Sequence, residues 1–295
     1  MTKSPLQDTL ADGPFVMVGA GNMGGAMLAG LLQKDVSASS VVVVEPSPSA
    51  DLISLRDRHG FTLQSSAVGP YNSDAGQSRQ GATAPSIVLY AVKPQLLGSV
   101  LKATQSLIQP ATLVISIAAG WTLSRLEAGL PPDTSVIRTM PNTPAAIGQG
   151  VTGAVANGQV SDQQRLAADA ILACLGNVVW LGDEVFMDAL TAVSGSGPAY
   201  VFHLVEALAA AGVQAGLPEN SAQHLARQTL IGAAGMLNAN PDTSAATLRE
   251  NVTSPGGTTQ AGLEVLMREP NGLSELLSAT VEAAATRSRE LAKGE

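Results

Sequence analysis

Between Phe15 and Leu32 the chain reads FVMVGAGNMGGAMLAGLL, an apolar run, three spaced glycines and a second apolar run with helical character. Gly19, Gly21 and Gly24 stand in the pattern G-x-G-x-x-G, directly after an expected strand and at the opening of an expected helix. The first glycine makes the tight turn. The second lets bare backbone approach a pyrophosphate, and the third lets helix pack on strand. The alternative is a glycine-rich turn used only for tight packing, but with strand and helix in place, and an acid to follow, the chain is expected to begin with a βαβ unit that binds a dinucleotide. Glu45 ends the next apolar run, 21 residues after Gly24, where a carboxylate can accept from the adenosine ribose. It would also repel a 2′-phosphate, whereas Ser47, Ser49 or Arg56 would hold one, so the sequence leaves NADPH and NADH both open.

The rest of the first half continues that rhythm. Strands are expected at Phe15–Val18, Val41–Glu45, Phe61–Leu63, Ser86–Ala91, Thr112–Ile117, Ser135–Arg138 and Val178–Leu181. Helices are expected at Asn22–Lys34, Ala50–His59, Gln95–Leu107 and Leu123–Ala128. Near-continuous apolar strands alternating with helices indicate a parallel sheet covered on both faces, a Rossmann-type α/β domain over residues 1–183. The polar start, MTKSPLQDTLADGP, reads as a ragged tail, and Ser65–Pro85 reads as a long surface loop.

Beyond Asp183 the character changes. Glu184–Val193, Pro198–Ala215, Glu219–Asn238, Ser244–Asn251, Thr259–Arg268 and Leu273–Lys293 all read as helices, an all-α domain over 184–295. Hydrophobic residues make up 45% of the chain and charged ones only 14%, with aromatics at 3%. So little surface charge means either that helices are buried in one another or that a sizeable face is covered by another subunit, and the Ala- and Gly-rich, aromatic-poor composition favours the second. The net charge of −8 argues against nucleic acid or an anionic membrane as the main partner. The single cysteine, Cys174, is expected as a small core residue, which excludes an intrachain disulfide. No targeting segment or membrane span is read, no metal is expected, and the location expected is the cytoplasm.

A second anion cradle lies in the helical half, in NVTSPGGTTQAGLEVL, Asn251–Leu266. Ser254-Pro255-Gly256-Gly257-Thr258-Thr259 offers successive N–H groups and hydroxyls at a helix start, suited to a carboxylate. If the first cradle holds a nicotinamide cofactor, the second holds the substrate. The acid–base inventory narrows the chemistry. No lysine lies between Lys102 and Lys293, and His203 and His224 sit in helical runs without an evident carboxylate partner. Oxidising an alcohol needs a base for the hydroxyl proton. A hydroxyacid dehydrogenase is expected to place a lysine four residues after a Gly-x-Gly in its interdomain helix. Here Gly195-Ser196-Gly197 is followed at that point by Val201. An imine carbon is already electrophilic and needs only positioning and a donor at nitrogen. A protein that binds a dinucleotide without catalysis is the alternative from another class.

Six segments together resemble the pyrroline-5-carboxylate reductases: GAGNMGGAM (Gly19–Met27), AVKP (Ala91–Pro94), SIAAG (Ser116–Gly120), RTMPNTPA (Arg138–Ala145), VSGSGPAYVF (Val193–Phe202) and SPGGTT followed by a helix. The likeness runs from about Phe15 to Leu291, and SPGGTT is its most specific part. It implies NAD(P)H-dependent reduction of 1-pyrroline-5-carboxylate to L-proline, the last step of proline biosynthesis. The glycine motif and the acid after it place Gly19, Gly21, Gly24, Glu45 and Ser47 at the cofactor, and the resemblance adds Asn22, Met23, Ala91, Val92, Lys93, Pro94, Ala118 and Asn142. By the same resemblance Ser254, Gly256, Gly257 and Thr258 hold the substrate carboxylate, and Thr259, the catalytic residue, hydrogen-bonds the ring nitrogen. The resemblance further implies a homodimer joined through the C-terminal helices, often built into a decamer. The chain departs from the family's usual pattern in the length of Ser65–Pro85, in Arg268–Gly272 and at Glu45, where a small residue is common.

Overall fold

The computed structural model describes residues 5–34, 36–66 and 84–293. Its elements in chain order are α1 (Pro5–Ala11), β1 (Phe15–Val18), α2 (Asn22–Leu32), β2 (Val41–Val44), α3 (Ala50–His59), β3 (Thr62–Gln64), β4 (Ile87–Tyr90), α4 (Pro94–Thr104), β5 (Leu113–Ser116), α5 (Leu123–Glu127), β6 (Ser135–Met140), β7 (Gly150–Ala156), α6 (Asp162–Leu172), β8 (Gly176–Trp180), α7 (Met187–Leu190), α8 (Gly197–Gln214), α9 (Glu219–Ala239), α10 (Ala245–Asn251), α11 (Thr258–Leu266) and α12 (Leu273–Lys293). They form two compact units. One runs to Gly195 and includes the chain from Thr286 onward; the other is Ser196–Ala285.

The first unit carries an eight-stranded sheet in the order β3-β2-β1-β4-β5-β6-β7-β8. Neighbours from β3 through β6 pair parallel. Both faces are covered, so alternate residues of one strand enter different cores. Phe15 and Met17 of β1 join Val41, Val43, Ile87 and Leu89 under α2 and α6, with Met27, Leu28, Leu31, Ile171 and Leu172. Val16 and Val18 join Val42, Val88, Tyr90 and Val114 under α4, with Leu97 and Leu101. Four successive buried valines in β2 thus serve two hydrophobic layers, the reason its sequence does not alternate with polar residues.

The reading of the sequence lacks α1, β7 and the first turns of α6. Strand β7 runs antiparallel to β6, and β8 then pairs parallel with β7. Helix α6 is opened by a reciprocal capping box, in which Ser161 Oγ accepts from the Gln164 amide and Gln164 Oε1 accepts from the Ser161 amide. Gly153 within β7 is required because a Cβ there would run into the Leu190 side chain of α7. The expected ragged start is corrected: Pro5–Ala11 is helical, and Leu6 is buried in the core with only 4% of its surface exposed. Leu6 and the partly buried Leu10 dock the short helix against the core, and no local pattern in the polar segment announces it. Most of the loop expected at Ser65–Pro85 lies outside the described residues.

The stretch expected as one helix, Glu184–Val193, is instead a 3₁₀ turn at Glu184–Phe186, the short α7 and a π turn at Thr191–Gly195. Its first residue is tied to the sheet unit. Glu184 Oε1 accepts from Arg138 Nη1 at 2.6 Å and from the Leu123 amide at 2.7 Å. The Arg138 side chain is only 7% exposed, so this pair neutralises an otherwise isolated buried cation.

The second unit is entirely helical. Its small buried residues, Ala209, Ala222 and Ala226, let α8 and α9 approach closely. Gly212 stands where a Cβ would meet Ala222 Cβ at 3.3 Å. Many large apolar side chains nevertheless remain in the open in the single chain. Phe202 is 64% exposed, Leu225 51%, Ile231 57% and Leu276 64%. Apolar exposure on that scale marks an interaction surface. No helix among the described residues is long and apolar enough to cross a membrane.

Candidate active site

The turn after β1 behaves as its glycines require. Gly19 has φ +87°, and a Cβ there would press on Val92 Cγ1 at 2.7 Å and Ala91 O at 2.8 Å. Gly21 is the N-cap of α2, and a Cβ built on it meets nothing within 4 Å, which leaves backbone open to a ligand. At Gly24 a Cβ would strike Ala91 Cβ at 2.9 Å, so helix and strand touch there. The amides of Asn22, Met23 and Gly24 open α2 with no side-chain cap, at the end of the helix where the dipole favours an anion.

The turn edges a cleft of about 1070 Å³. It is lined by Gly19, Gly21, Asn22, Glu45, Ser47, Ala91, Val92 and Lys93, and also by Ser49, Asp51 and Leu96. Its size and its mixture of backbone, hydroxyl and apolar surface suit an extended dinucleotide. Five of the residues expected at the cofactor do not line it. Gly24 is spent on packing, and Met23 packs partly buried against the core. Pro94 begins α4, and its carbonyl accepts from Trp121 Nε1 at 3.0 Å. Ala118 is nearly buried, its amide donating to Ser116 Oγ at 3.3 Å. Asn142 is engaged at both ends of its amide, accepting from the Val151 amide at 2.9 Å and donating to Ser194 O at 3.1 Å.

Glu45 is held by two backbone amides, Ala20 N–H at 3.0 Å on Oε2 and Ser47 N–H at 3.1 Å on Oε1. Ser49 Oγ caps α3 by accepting from the Leu52 amide. Beneath the cleft, Tyr90 Oη lies 2.7 Å from Thr104 Oγ1. Burial pushes the Tyr90 phenol up to about 12, against a smaller lowering from that hydrogen bond. Burial likewise raises the Cys174 thiol, offset in part by Lys34. Both groups stay neutral near pH 7.

The second cradle lies in the helical unit at the start of α11. Gly256 has φ +69°, and a Cβ on Gly257 would sit 3.0 Å from Ser254 O, so each glycine has its own reason to be there. Their amides are used inside the turn. Gly257 N–H donates to Ser254 O at 3.0 Å, and Gly256 N–H to Gln260 Oε1 at 2.8 Å. The bare donors lie just beyond: among the described residues nothing accepts from the amides of Thr258, Thr259 and Gln260. Both threonine hydroxyls are exposed beside them. Gln260 was not anticipated, although its place three residues after the Gly257 N-cap is that of a capping-box glutamine.

A model of pyrroline-5-carboxylate reductase dimerisation matches residues 184–291, and a model of NADP oxidoreductases that are coenzyme F420-dependent matches 14–120. A Synechocystis pyrroline-5-carboxylate reductase is 43% identical over 280 residues, covering 94% of this chain and 97% of that one. The chain belongs to the pyrroline-5-carboxylate reductase family. A solved pyrroline-5-carboxylate reductase of Coxiella burnetii superposes with a TM-score of 0.83 at 33% identity, covering 95% of this chain and 98% of the other. The Plasmodium falciparum pyrroline carboxylate reductase, solved with NADP bound, gives 0.74 at 28% identity, with 95% and 98% covered. Membership thus spans both units rather than the dinucleotide-binding half alone.

Proposed function

We propose that this chain reduces 1-pyrroline-5-carboxylate to L-proline with NADPH or NADH, the last step of proline biosynthesis. The observation that carries the reading is the pair of cradles, one built around Gly19–Gly24 and one at the head of α11, in a chain of this family. A nicotinamide dinucleotide in the first supplies the hydride for the imine carbon. The chain's own residues do the rest. Gly19 and Gly21 open the turn to the pyrophosphate, with the first amides of α2 directed at it, and Lys93 adds a positive charge in the same cleft.

At α11 the unshared amides of Thr258, Thr259 and Gln260 seat the substrate carboxylate, helped by the helix dipole and by the Ser254 and Thr258 hydroxyls. Gly256 and Gly257 shape the turn that aims those amides. The Thr259 hydroxyl hydrogen-bonds the ring nitrogen, which takes its proton from water as the hydride reaches the imine carbon, so the amine forms and the hydroxyl stays neutral. No side chain need act as a strong base, which fits the absence of lysine between Lys102 and Lys293.

The helices of 184–295 are read as the substrate-binding and dimerisation domain, two copies covering the apolar side chains that one chain leaves exposed. A decamer of such dimers and a cytoplasmic location complete the proposal. Purified protein is expected to oxidise NAD(P)H when given 1-pyrroline-5-carboxylate and to release proline; no turnover with either cofactor refutes the reading.

A further inference from the structure

We infer that Glu45 makes this chain discriminate against the 2′-phosphate, so that NADH is held more tightly than NADPH; the inference rests on reading the cleft beside Gly19–Gly24 as the dinucleotide site. Glu45 follows β2 directly and lines that cleft together with Ser47, Ser49 and Asp51. Its carboxylate is pinned from two sides, by the amide of Ala20 in the glycine turn and by the amide of Ser47. Ala20 is only 9% exposed, so a carboxylate that swung aside would leave a nearly buried N–H without its acceptor. Glu45 therefore stays at the rim.

What it offers there follows from its lone pairs. An ionised carboxylate accepts about four hydrogen bonds, and two of these positions are taken by the backbone. The remainder suit hydroxyl donors, which the 2′- and 3′-OH groups of an unphosphorylated ribose supply. A phosphate monoester brings about −1.5 to −2 charges and only acceptor oxygens in its ionised form, so it meets Glu45 with repulsion and no proton to share.

Nothing among the described residues of the cleft compensates. Lys93 is the cation in its lining, and it stands at the N-cap of α4 after β4, with β1 lying between β4 and β2. At about 4.8 Å per strand that is on the order of 10 Å away. Asp51 adds a second carboxylate to the Glu45 side. Arg56, on α3, is paired with Asp57 at 2.6 Å and does not line the cleft. Ser49 Oγ accepts from the Leu52 amide, which leaves its O–H as a neutral donor. Of the three groups that would hold a 2′-phosphate by sequence position, only the Ser47 and Ser49 hydroxyls reach the cleft, and neither carries charge.

The test is an equilibrium titration of the intact protein with NADH and with NADPH, followed by cofactor fluorescence in the absence of any imine. The unaltered protein is expected to bind NADH at least about tenfold more tightly, a ratio that shrinks as ionic strength rises because it arises from charge. Glu45→Gln keeps the size and an acceptor while removing the charge, and is expected to bring the ratio close to one by tightening NADPH. NADPH bound as tightly as NADH by the unaltered protein overturns the inference, as does a ratio that Glu45→Gln and Glu45→Ser both leave unchanged. Should the variants misfold, the unaltered protein's ratio and its salt dependence decide alone. Failure to reduce 1-pyrroline-5-carboxylate would leave these titrations standing, whereas binding of neither dinucleotide overturns the cofactor reading and this inference with it.

Discussion

Replacing Gly256 by alanine isolates a single backbone term at the heart of the proposed substrate cradle. Gly256 sits at φ +69°, and the space around its missing Cβ is empty out to 4 Å, so an added methyl clashes with nothing. What remains is the cost of holding a non-glycine residue in the left-handed region, about 1–2 kcal/mol. The turn can escape that cost by relaxing, but relaxation breaks the Gly256 N–H bond to Gln260 Oε1 and lets the bare amides of Thr258, Thr259 and Gln260 drift from their common aim. Binding the carboxylate must then restore the turn. Since each 1.4 kcal/mol is tenfold, KM for 1-pyrroline-5-carboxylate is expected to rise roughly 5- to 30-fold with kcat little changed.

The assay is steady-state kinetics at saturating cofactor, with thermal unfolding alongside. A loss of 2 kcal/mol lowers Tm by at most about 8 °C in a chain of this size class, so the fold survives. Gly257→Ala, whose Cβ would lie 3.0 Å from Ser254 O, is expected to do more damage. Gly232→Ala, in the middle of α9 with open space around it, serves as the control and leaves KM alone. A Gly256→Ala protein with an unchanged KM and a lowered Tm would refute the reasoning, because the strain would then have been absorbed without touching the seat of the carboxylate.

Three further outcomes are expected. Thr259→Ala lowers kcat/KM by roughly 10- to 1000-fold, as loss of one positioned donor does, and Thr259→Ser restores most of it; equal values for all three proteins remove the hydroxyl from the mechanism. Glu184→Ala strands the nearly buried Arg138 and the Leu123 amide, costing about 2–4 kcal/mol by urea unfolding once the 27% exposure of Glu184 is discounted; a loss below about 1 kcal/mol contradicts the structural role given to the pair. Tyr90, raised from 10 to about 12 in the fold, is neutral where the unfolded chain would ionise it. Its stabilising contribution is complete below pH 10 and is lost as pH rises toward 12, on the order of 2–3 kcal/mol in all, and Tyr90→Phe should flatten that alkaline limb of the stability profile.

What was legible in the sequence was written in short stretches. An apolar run, three spaced glycines and a helix identify the first cradle, because turn geometry and close packing are demands that a few adjacent residues meet or fail. Pro255 and the glycine pair announced the head of α11 in the same way, and α12 runs from Leu273 to Lys293 as its pattern predicts. The covered sheet was evident from strands without polar alternation. Where one element had to find a distant one, the sequence was mute: α1 is ordered by Leu6 in a remote core, β7 turns antiparallel beside β6, and Glu184 draws its segment to Arg138.

The site divides along the same line. Sequence alone offered two candidate anion cradles, with no lysine between Lys102 and Lys293. Only the tertiary structure decided how their atoms are used. Gly256 and Gly257 proved to shape the second cradle, their amides already paired, while the free donors lie at Thr258 to Gln260. Glu45, ambiguous as a letter, acquires a fixed position because an amide 25 residues earlier holds it. A residue's conformational preference travels with it along the chain, but its hydrogen-bond partner is set by which strands lie side by side, and that is settled only when the whole sheet closes its two cores.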